Sequence, residues 1–271
     1  MLPRLVIPDS PINTDQETIC ANVRLNIRRG LQQVKMHPAS PEWIVLACGG
    51  PSLEDTFDEL RQLYWLGRKV IAVNGAYRWL TDRNIRPSAA IVMDARKFNA
   101  RFVDPAVPNC KYFLASQCAP EIFDACAERD VHLFHVCTYE DEEKAILNEY
   151  YFGKYRYIPG GMTVSLRAIT LLRTLGFHLM DIFGLDSCVM QGKHHAYPQA
   201  ENDSDDIKRV WMAADGKLDE GREFWITSWH AAQLDNFMAM IRVNGDLFKL
   251  NVHGDGLIAY AMRTGARLVK E

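Results

Sequence analysis

The chain has 271 residues, of which 48% are hydrophobic and 24% charged, and its formal net charge is −3. This length allows one large domain with a full core, and the charge balance argues against general nucleic-acid binding, which needs a basic stripe. Seven cysteines without a C-x-x-C pair predict neither a disulfide framework nor a thiolate zinc site and favour a reducing cytoplasm. We see no signal-peptide core and no run of about 18 apolar residues, so we expect no membrane segment.

Residues 1–40 are predicted to be a helical lead-in. A polar helix over residues 14–34 would end before Pro38, because the residue before proline disfavours helical backbone angles. Such a helix would serve packing or contact with a second copy of the chain. Residues 41–271 are predicted to form the main domain.

Buried-strand runs and amphipathic helices alternate through residues 41–271. Strands are predicted at residues 44–47, 70–73, 89–93, 112–115, 131–136, 179–183, 248–252 and 266–269, and helices at 53–66, 120–129, 139–150, 164–175, 228–243 and 256–263. Alternation of this kind predicts an α/β, Rossmann-like fold with a mostly parallel sheet and helices on both faces.

A turn of four residues, Gly49, Gly50, Pro51 and Ser52, joins the first strand of the domain to its helix. Glycine lets backbone amides approach an anion at a helix N-terminus, where free N–H groups and the helix dipole favour phosphate. The turn has neither the lysine of a P-loop nor the G-x-G-x-x-G spacing, so a tight turn without a ligand stays an alternative. Asn74 follows the next strand and is predicted to contact a base or sugar, or to occupy a left-handed turn.

Two further features have the same chemistry. Gly160, Gly161 and Thr163 form a second glycine turn before a helix, which could bind phosphate or only allow close packing. Asp94 and Asp186 each follow a buried strand, where carboxylates hold a ribose hydroxyl or a divalent metal, cap a helix or pair with an arginine.

Residues 187–219 read as a long polar loop, which is typical of a lid or of disorder. His194, His195 and Tyr197 lie in it, and His230 follows on a predicted helix. Histidine is the side chain that titrates near neutral pH without perturbation, so the candidate proton-transfer groups are His194, His195, Tyr197 and His230. The alternative for His230, at a helix start, is a packed or capping histidine. Adjacent histidines can bind a metal, but no H-E-x-x-H pattern or cysteine partner supports zinc, and we predict no metal site.

Five motifs carry a resemblance to a known family: ACGGPSL at 47–53, AVNGA at 72–76, IVMD at 91–94, GGMTV at 160–164 and FGLD at 183–186. In these motifs the chain resembles the 6-hydroxymethylpterin diphosphokinase-like family. That family is similar to the motility-accessory-factor flagellin glycosyltransferases and, more distantly, to bacterial sialyltransferases, and related proteins occur in bacteriophage genomes. The resemblance implies a Rossmann-like fold that binds a nucleotide, with residues 49–52 and Asn74 near its phosphates or sugar.

The resemblance implies one of two transfer reactions. In the leading hypothesis a nucleotide-activated sugar of the CMP type is the donor and no metal is needed. His230 or His195 removes the acceptor hydroxyl proton, while Tyr197 and the turn at 160–161 stabilise the departing phosphate.

In the alternative, ATP is the donor and a pyrophosphoryl group moves to a pterin-like hydroxymethyl compound, with Asp94 and Asp186 holding magnesium. A third hypothesis is a non-catalytic nucleotide-binding module. In every case the nucleotide is a small-molecule partner rather than a tightly bound cofactor, and the acceptor is left open.

Overall fold

A computed structural model describes residues 13–202, 206–214, 217–265 and 267–268. Within these residues, eight strands form one sheet in the order β1-β6-β5-β4-β3-β2-β7-β10, and every neighbouring pair is parallel. The strands are β1 (Gln32–Gln33), β2 (Ser40–Ala47), β3 (Val70–Val73), β4 (Ala89–Val92), β5 (Lys111–Ala115), β6 (Asp130–Phe134), β7 (Phe177–Phe183) and β10 (Lys249–Val252). The expected parallel α/β fold is confirmed.

Helices flank this sheet and cover its apolar strands. They are α1 (Gln16–Ile27), α2 (Ser52–Asp55), α3 (Phe57–Trp65), α4 (Ala76–Thr81), α5 (Pro120–Ala125), α6 (Glu140–Tyr151), α7 (Val164–Thr174), α8 (Ser228–Asn244) and α9 (Leu257–Thr264). Short 3-10 helices span Lys97–Val103, Ala200–Asn202 and Gly245–Leu247. All four residues of β3 and all four of β4 are buried, so these central strands are covered on both faces. This burial explains why their sequences are unbroken apolar runs.

The strand order reverses at β2. From β2 the chain proceeds outward through β3, β4, β5 and β6 on one side, whereas β7 and β10 lie on the other. Leu46 of β2 is paired with Ile71 of β3 and with Ile182 of β7. In open α/β sheets a crevice forms at the carboxyl ends of the strands at such a reversal, and ligands bind there.

Three predicted helices differ from those observed. The helix predicted over residues 120–129 is shorter and ends at Ala125. The lead-in helix ends at Ile27, because the chain turns at Gly30 (φ +68°) and continues as the edge strand β1. The helix predicted over residues 53–66 is interrupted at Thr56, whose hydroxyl donates to the carbonyl of Ser52 (2.7 Å). A hydroxyl bonded to the backbone four residues earlier bends a helix, so α2 and α3 are separate.

The segment predicted as one long loop, residues 187–219, is a loop only in part. Strands β8 (Lys208–Ala214) and β9 (Lys217–Ile226) form an antiparallel hairpin, and β11 (Arg267–Leu268) pairs with β8 rather than with the main sheet. Within this segment the sequence has an acidic run at residues 203–206, of which only Asp206 is among the described residues. In the part of the chain described here, no helix is long and apolar enough to cross a membrane.

Candidate active site

A cleft of about 740 Å³ opens at the carboxyl end of the sheet, where the strand order reverses. The loops that follow β2, β3, β4 and β7 border it, together with the N-termini of α7 and α8. Twelve of the thirteen site residues predicted from the sequence line this cleft: Gly49, Gly50, Pro51, Asn74, Asp94, Gly160, Gly161, Thr163, Asp186, His195, Tyr197 and His230. The thirteenth, Ser52, is buried.

The first glycine turn is bound by a carboxylate of the protein itself. The Ser52 N–H donates to one oxygen of Asp186 (2.7 Å) and the Ser52 hydroxyl donates to the other (2.5 Å). The Gly50 N–H donates to the carbonyl of Gly184 (2.8 Å). The anion at the N-terminus of α2 is therefore Asp186, and the amides of Gly50 and Ser52 have acceptors within the protein.

Burial dominates the chemistry of this carboxyl group. The Asp186 side chain is 3% exposed, and burial raises its pKa to about 6 against the lowering effect of the two Ser52 hydrogen bonds. A Cβ on Gly50 would lie 2.4 Å from the Asp186 carboxylate and 2.6 Å from the Gly184 carbonyl oxygen. The turn needs glycine at position 50 for this internal contact.

Tyr197 lies across two glycines at the ends of β2 and β3. The Ala196 N–H donates to the carbonyl of Gly49 (3.0 Å), which holds the segment over the turn. A Cβ on Gly49 would lie 2.4 Å from the phenol oxygen, and one on Gly75 would lie 2.4 to 2.8 Å from the ring and that oxygen. Burial raises the pKa of Tyr197, so the phenol keeps its proton and can donate a hydrogen bond.

Asn74 and Asp94 differ in how far the protein already satisfies them. Asn74 adopts φ +42°, and its Oδ1 atom is buried without a hydrogen-bond partner among the described residues. Both oxygens of Asp94 accept from the guanidinium of Arg96, at 3.0 Å and 2.6 Å. A buried acceptor without a partner lowers the stability of the folded state by about 1 to 3 kcal/mol. Asn74 therefore lacks a hydrogen-bond donor, whereas Asp94 already has one in Arg96.

The N-terminus of α7 faces the cleft through Thr163, Val164 and Ser165. The first-turn N–H groups of a helix have no intrahelical acceptor, and the dipole makes this end favourable for an anion. Gln233 fixes the approach to the helix, because its amide donates to the Thr163 hydroxyl (2.8 Å) and accepts from Ser187 (2.7 Å). Sequence reasoning missed Gln233, since a glutamine in a helix carries no recognisable pattern.

His230 is the third residue of α8 and closes a capping box with the N-cap residue Thr227. Its Nδ1 accepts from the Thr227 N–H (3.1 Å), and the Thr227 hydroxyl accepts from the His230 N–H (3.4 Å). Burial lowers the pKa of His230, and the neighbouring His194 and His195 lower it further. The neutral ring therefore carries its proton on Nε2 and is a hydrogen-bond donor there.

His194 completes the histidine cluster. Its ring stacks on that of His230, with centroids 5.9 Å apart, and its Nδ1 is buried with no partner among the described residues. The ring of His195 lies 5.3 Å from that of Tyr197. The loop after β7 thus brings both of these histidines to the start of α8.

No group of three or more histidine, cysteine or acidic side chains suited to a metal ion occurs among the described residues. The two carboxylates predicted as magnesium ligands already have protein donors on both oxygens, Asp94 from Arg96 and Asp186 from Ser52. Because a carboxylate oxygen has a second acceptor site, magnesium binding by this pair would have to share or displace these donors. Cys48 is no better suited to nucleophilic chemistry, because burial raises its pKa to about 12.

Comparison with known proteins adds two findings. The family model described as 6-hydroxymethylpterin diphosphokinase MptE-like matches residues 17–192. The structure of a MAf glycosyltransferase from Magnetospirillum magneticum AMB-1 is similar to this chain, with a TM-score of 0.67 and 17% sequence identity. The likeness covers 93% of this chain and 38% of that one, and at this identity it shows the fold. None of the curated proteins matches the chain.

Proposed function

The chain belongs to the 6-hydroxymethylpterin diphosphokinase MptE-like family, and on this premise we propose that it is a nucleotide-dependent transferase whose donor is a CMP-activated sugar. The family description is that of a transferase, and the fold is shared with a protein named as a glycosyltransferase. The observation that carries the choice of donor is the chemistry of the cleft. Its polar groups are mainly neutral donors, and both of its candidate metal-binding carboxylates are engaged by the protein.

In this proposal the α7 N-terminus and the Tyr197 hydroxyl bind the phosphate of the donor. Preorganised donors of this kind stabilise the negative charge that grows on a leaving phosphate, and they act without a metal. The acceptor hydroxyl oxygen forms a bond to the anomeric carbon as the bond from that carbon to the phosphate oxygen breaks.

The proton of the acceptor hydroxyl goes to His195 in this scheme. His230 was an equal candidate for the base on sequence grounds, but its Nδ1 lone pair is used by the Thr227 N–H and its Nε2 carries a proton. We therefore assign His230 the role of a hydrogen-bond donor to the phosphate and His195 the role of general base.

The family description itself supports the second candidate, pyrophosphoryl transfer from ATP. That reaction uses magnesium to neutralise the phosphates. Asp94 and Asp186 would have to bind it in competition with Arg96 and Ser52, which argues against this reading. Under the third hypothesis, a binding module, the donor would survive incubation unchanged.

The test is a thermal-unfolding panel with CMP, CDP, UDP, GDP and ATP, each with magnesium or with EDTA. A ligand that binds only the folded state stabilises it by mass action and so raises the melting temperature. At a ligand concentration of a hundred times Kd, the free energy of unfolding increases by about 2.7 kcal/mol. We expect stabilisation by CMP that EDTA does not remove. Stabilisation by ATP that requires magnesium would replace this proposal with the diphosphokinase.

Two variants separate the histidine roles in an assay of CMP release from CMP-sialic acid. His195→Gln should abolish turnover and leave the CMP-induced thermal shift unchanged. His230→Gln keeps a capping box, since glutamine at this position can accept from the Thr227 N–H, and should weaken CMP binding. Loss of turnover with normal binding in His230→Gln would make His230 the base instead.

A further inference from the structure

A second cavity of about 710 Å³ lies on the other side of the second glycine turn. Gly160 and Gly161 line both this cavity and the cleft described above. The two spaces therefore share a wall formed by one turn of the chain.

The second cavity is positively charged. Arg156 and Arg173 line it together with His37 and His178, and no aspartate or glutamate is among its described lining residues. Neither arginine forms an ion pair with a described residue, although most of the charged groups bordering the first cleft are paired. The charges of Arg156 and Arg173 are therefore not balanced by the described residues, and an anionic ligand would balance them.

Arg173 gives independent support. Its Nε atom is buried and has no hydrogen-bond partner among the described residues. Leaving a buried donor unsatisfied is costly, and more so for a charged group, so the protein itself leaves this guanidinium undersatisfied and an anion in the cavity would stabilise its charge. The guanidinium carbon lies 5.7 Å from the centre of the Phe248 ring, which fixes its position at the cavity wall.

The rest of the lining is largely apolar. It includes Met36, Met240, Val243 and Phe248, and Val243 is 79% exposed. Apolar side chains beside two arginines match a ligand with an apolar body and one anionic end, because pockets bind through apolar area and orient through a few polar groups.

The wall between the two cavities is held from both sides. The Arg167 Nε–H donates to the carbonyl of Gly161 (2.9 Å) and the Thr170 hydroxyl donates to that of Pro159. From α8, Asn236 accepts from the Met162 N–H (3.3 Å). Because the turn is tied to both α7 and α8, we treat the two cavities as separate binding sites.

We propose that this second cavity is a binding site for an anionic small molecule with an apolar body, whose charged group is bound by Arg156 and Arg173. The inference stands on the lining of this cavity and does not depend on the proposed transfer reaction.

The experiment uses phenyl phosphate as the ligand, with phenol and inorganic phosphate as matched compounds, and measures binding by titration calorimetry. We expect saturable binding of phenyl phosphate that is tighter than that of either matched compound, since each of them lacks one half of the interaction. Arg156→Gln and Arg173→Gln should each weaken it by about tenfold or more, as expected for a lost charge-assisted hydrogen bond.

Two control variants locate the site. Arg242→Gln removes a positive charge from the exposed surface of α8 outside the cavity, and Asn74→Ala alters the first cleft; both should leave phenyl phosphate binding unchanged. Arg156 is exposed, so its variant remains informative if Arg173→Gln fails to fold. Absence of binding, equal loss in Arg242→Gln, or loss in Asn74→Ala with normal binding in the Arg156 variant would overturn the proposal.

Discussion

Replacing Asp186 by Asn tests whether this carboxylate is an internal partner of the glycine turn or a group that acts on a ligand. Asparagine has nearly the same shape and can satisfy Ser52, because its oxygen accepts from the Ser52 N–H and its amide donates to the Ser52 hydroxyl. The substitution therefore removes the charge and keeps the hydrogen bonds. We expect the folded structure and the nucleotide-induced thermal shift to persist in Asp186→Asn.

The magnitude follows from the pKa of Asp186, which burial raises from 3.8 to about 6. The folded state binds this proton more tightly than the unfolded state, so the contribution to stability is present below the unfolded pKa and is lost as pH rises towards the folded pKa. A shift of about two units corresponds to about 3 kcal/mol. Relative to the Asn variant, the wild-type protein should lose about 2 to 3 kcal/mol between pH 4 and pH 7.

The assay is urea unfolding of both proteins at half-unit steps from pH 4 to pH 8. Subtracting the two curves cancels the titration of the other carboxylates, which is shared. Asp186→Ala is the control: it leaves the N–H and the hydroxyl of Ser52 unsatisfied, so relative to Asp186→Asn it should be less stable by about 2 to 4 kcal/mol at every pH. Parallel curves for wild type and Asp186→Asn would refute the reasoning, since the carboxyl group would then not titrate as a buried acid.

Further predictions concern other parts of the fold. Gly75→Ala places a methyl group against the Tyr197 ring, and alanine accepts the backbone angle at this position. The variant should therefore fold, but its CMP-induced thermal shift should be smaller. An unchanged shift would show that Tyr197 is dispensable for binding. His253 is bound to Asp181 (3.1 Å) and Glu59 (3.0 Å), which raise its pKa, so His253→Ala should cost about 1 kcal/mol below pH 6.5 and less as pH rises through the folded pKa. Equal cost at pH 5 and pH 9 in urea unfolding would contradict that assignment. All seven cysteines are buried, so Ellman's reagent should detect no thiols until denaturant is added, and fast reaction of any thiol in the native protein would argue against this packing.

The parallel sheet was predictable because its strands are buried on both faces and read as short apolar runs. The hairpin β8–β9 was not recognised, since its strands carry exposed polar residues such as Lys208 and Arg209 that obscure alternation. The sequence did contain a signal, Asp215 followed by Gly216, which is typical of a two-residue hairpin turn. The hairpin matters for the site, because β9 ends at Ile226 and leads directly into the N-cap of α8.

The location of the site was predictable to a greater degree than the roles of its residues. Glycines and polar side chains at strand ends identify the edge of the sheet that borders the cleft, and open α/β sheets commonly bind ligands at this edge. Ser52 and Asp186, however, bind each other across 134 residues of sequence, whereas the sequence predicted a ligand contact for both and a helix cap as the alternative for Asp186. Residue type alone cannot reveal such a pair. Capping was one of the two roles that the sequence allowed for His230, and its Nδ1 accepts from the N–H of the α8 N-cap residue.

The charge of the cleft bears on which donor it can accept. Its lining includes the cations Arg96, Arg167 and Lys208. Asp94 binds Arg96, backbone carbonyls bind Arg167, and Asp206 binds Lys208 at 3.3 Å. An entering anion would therefore meet N–H and O–H donors, the dipole of α7, and the charge of Arg167, which its carbonyl acceptors do not neutralise. The triphosphate of ATP carries several negative charges and depends on magnesium or on unpaired cations. From this balance we expect any stabilisation of the protein by ATP to require magnesium.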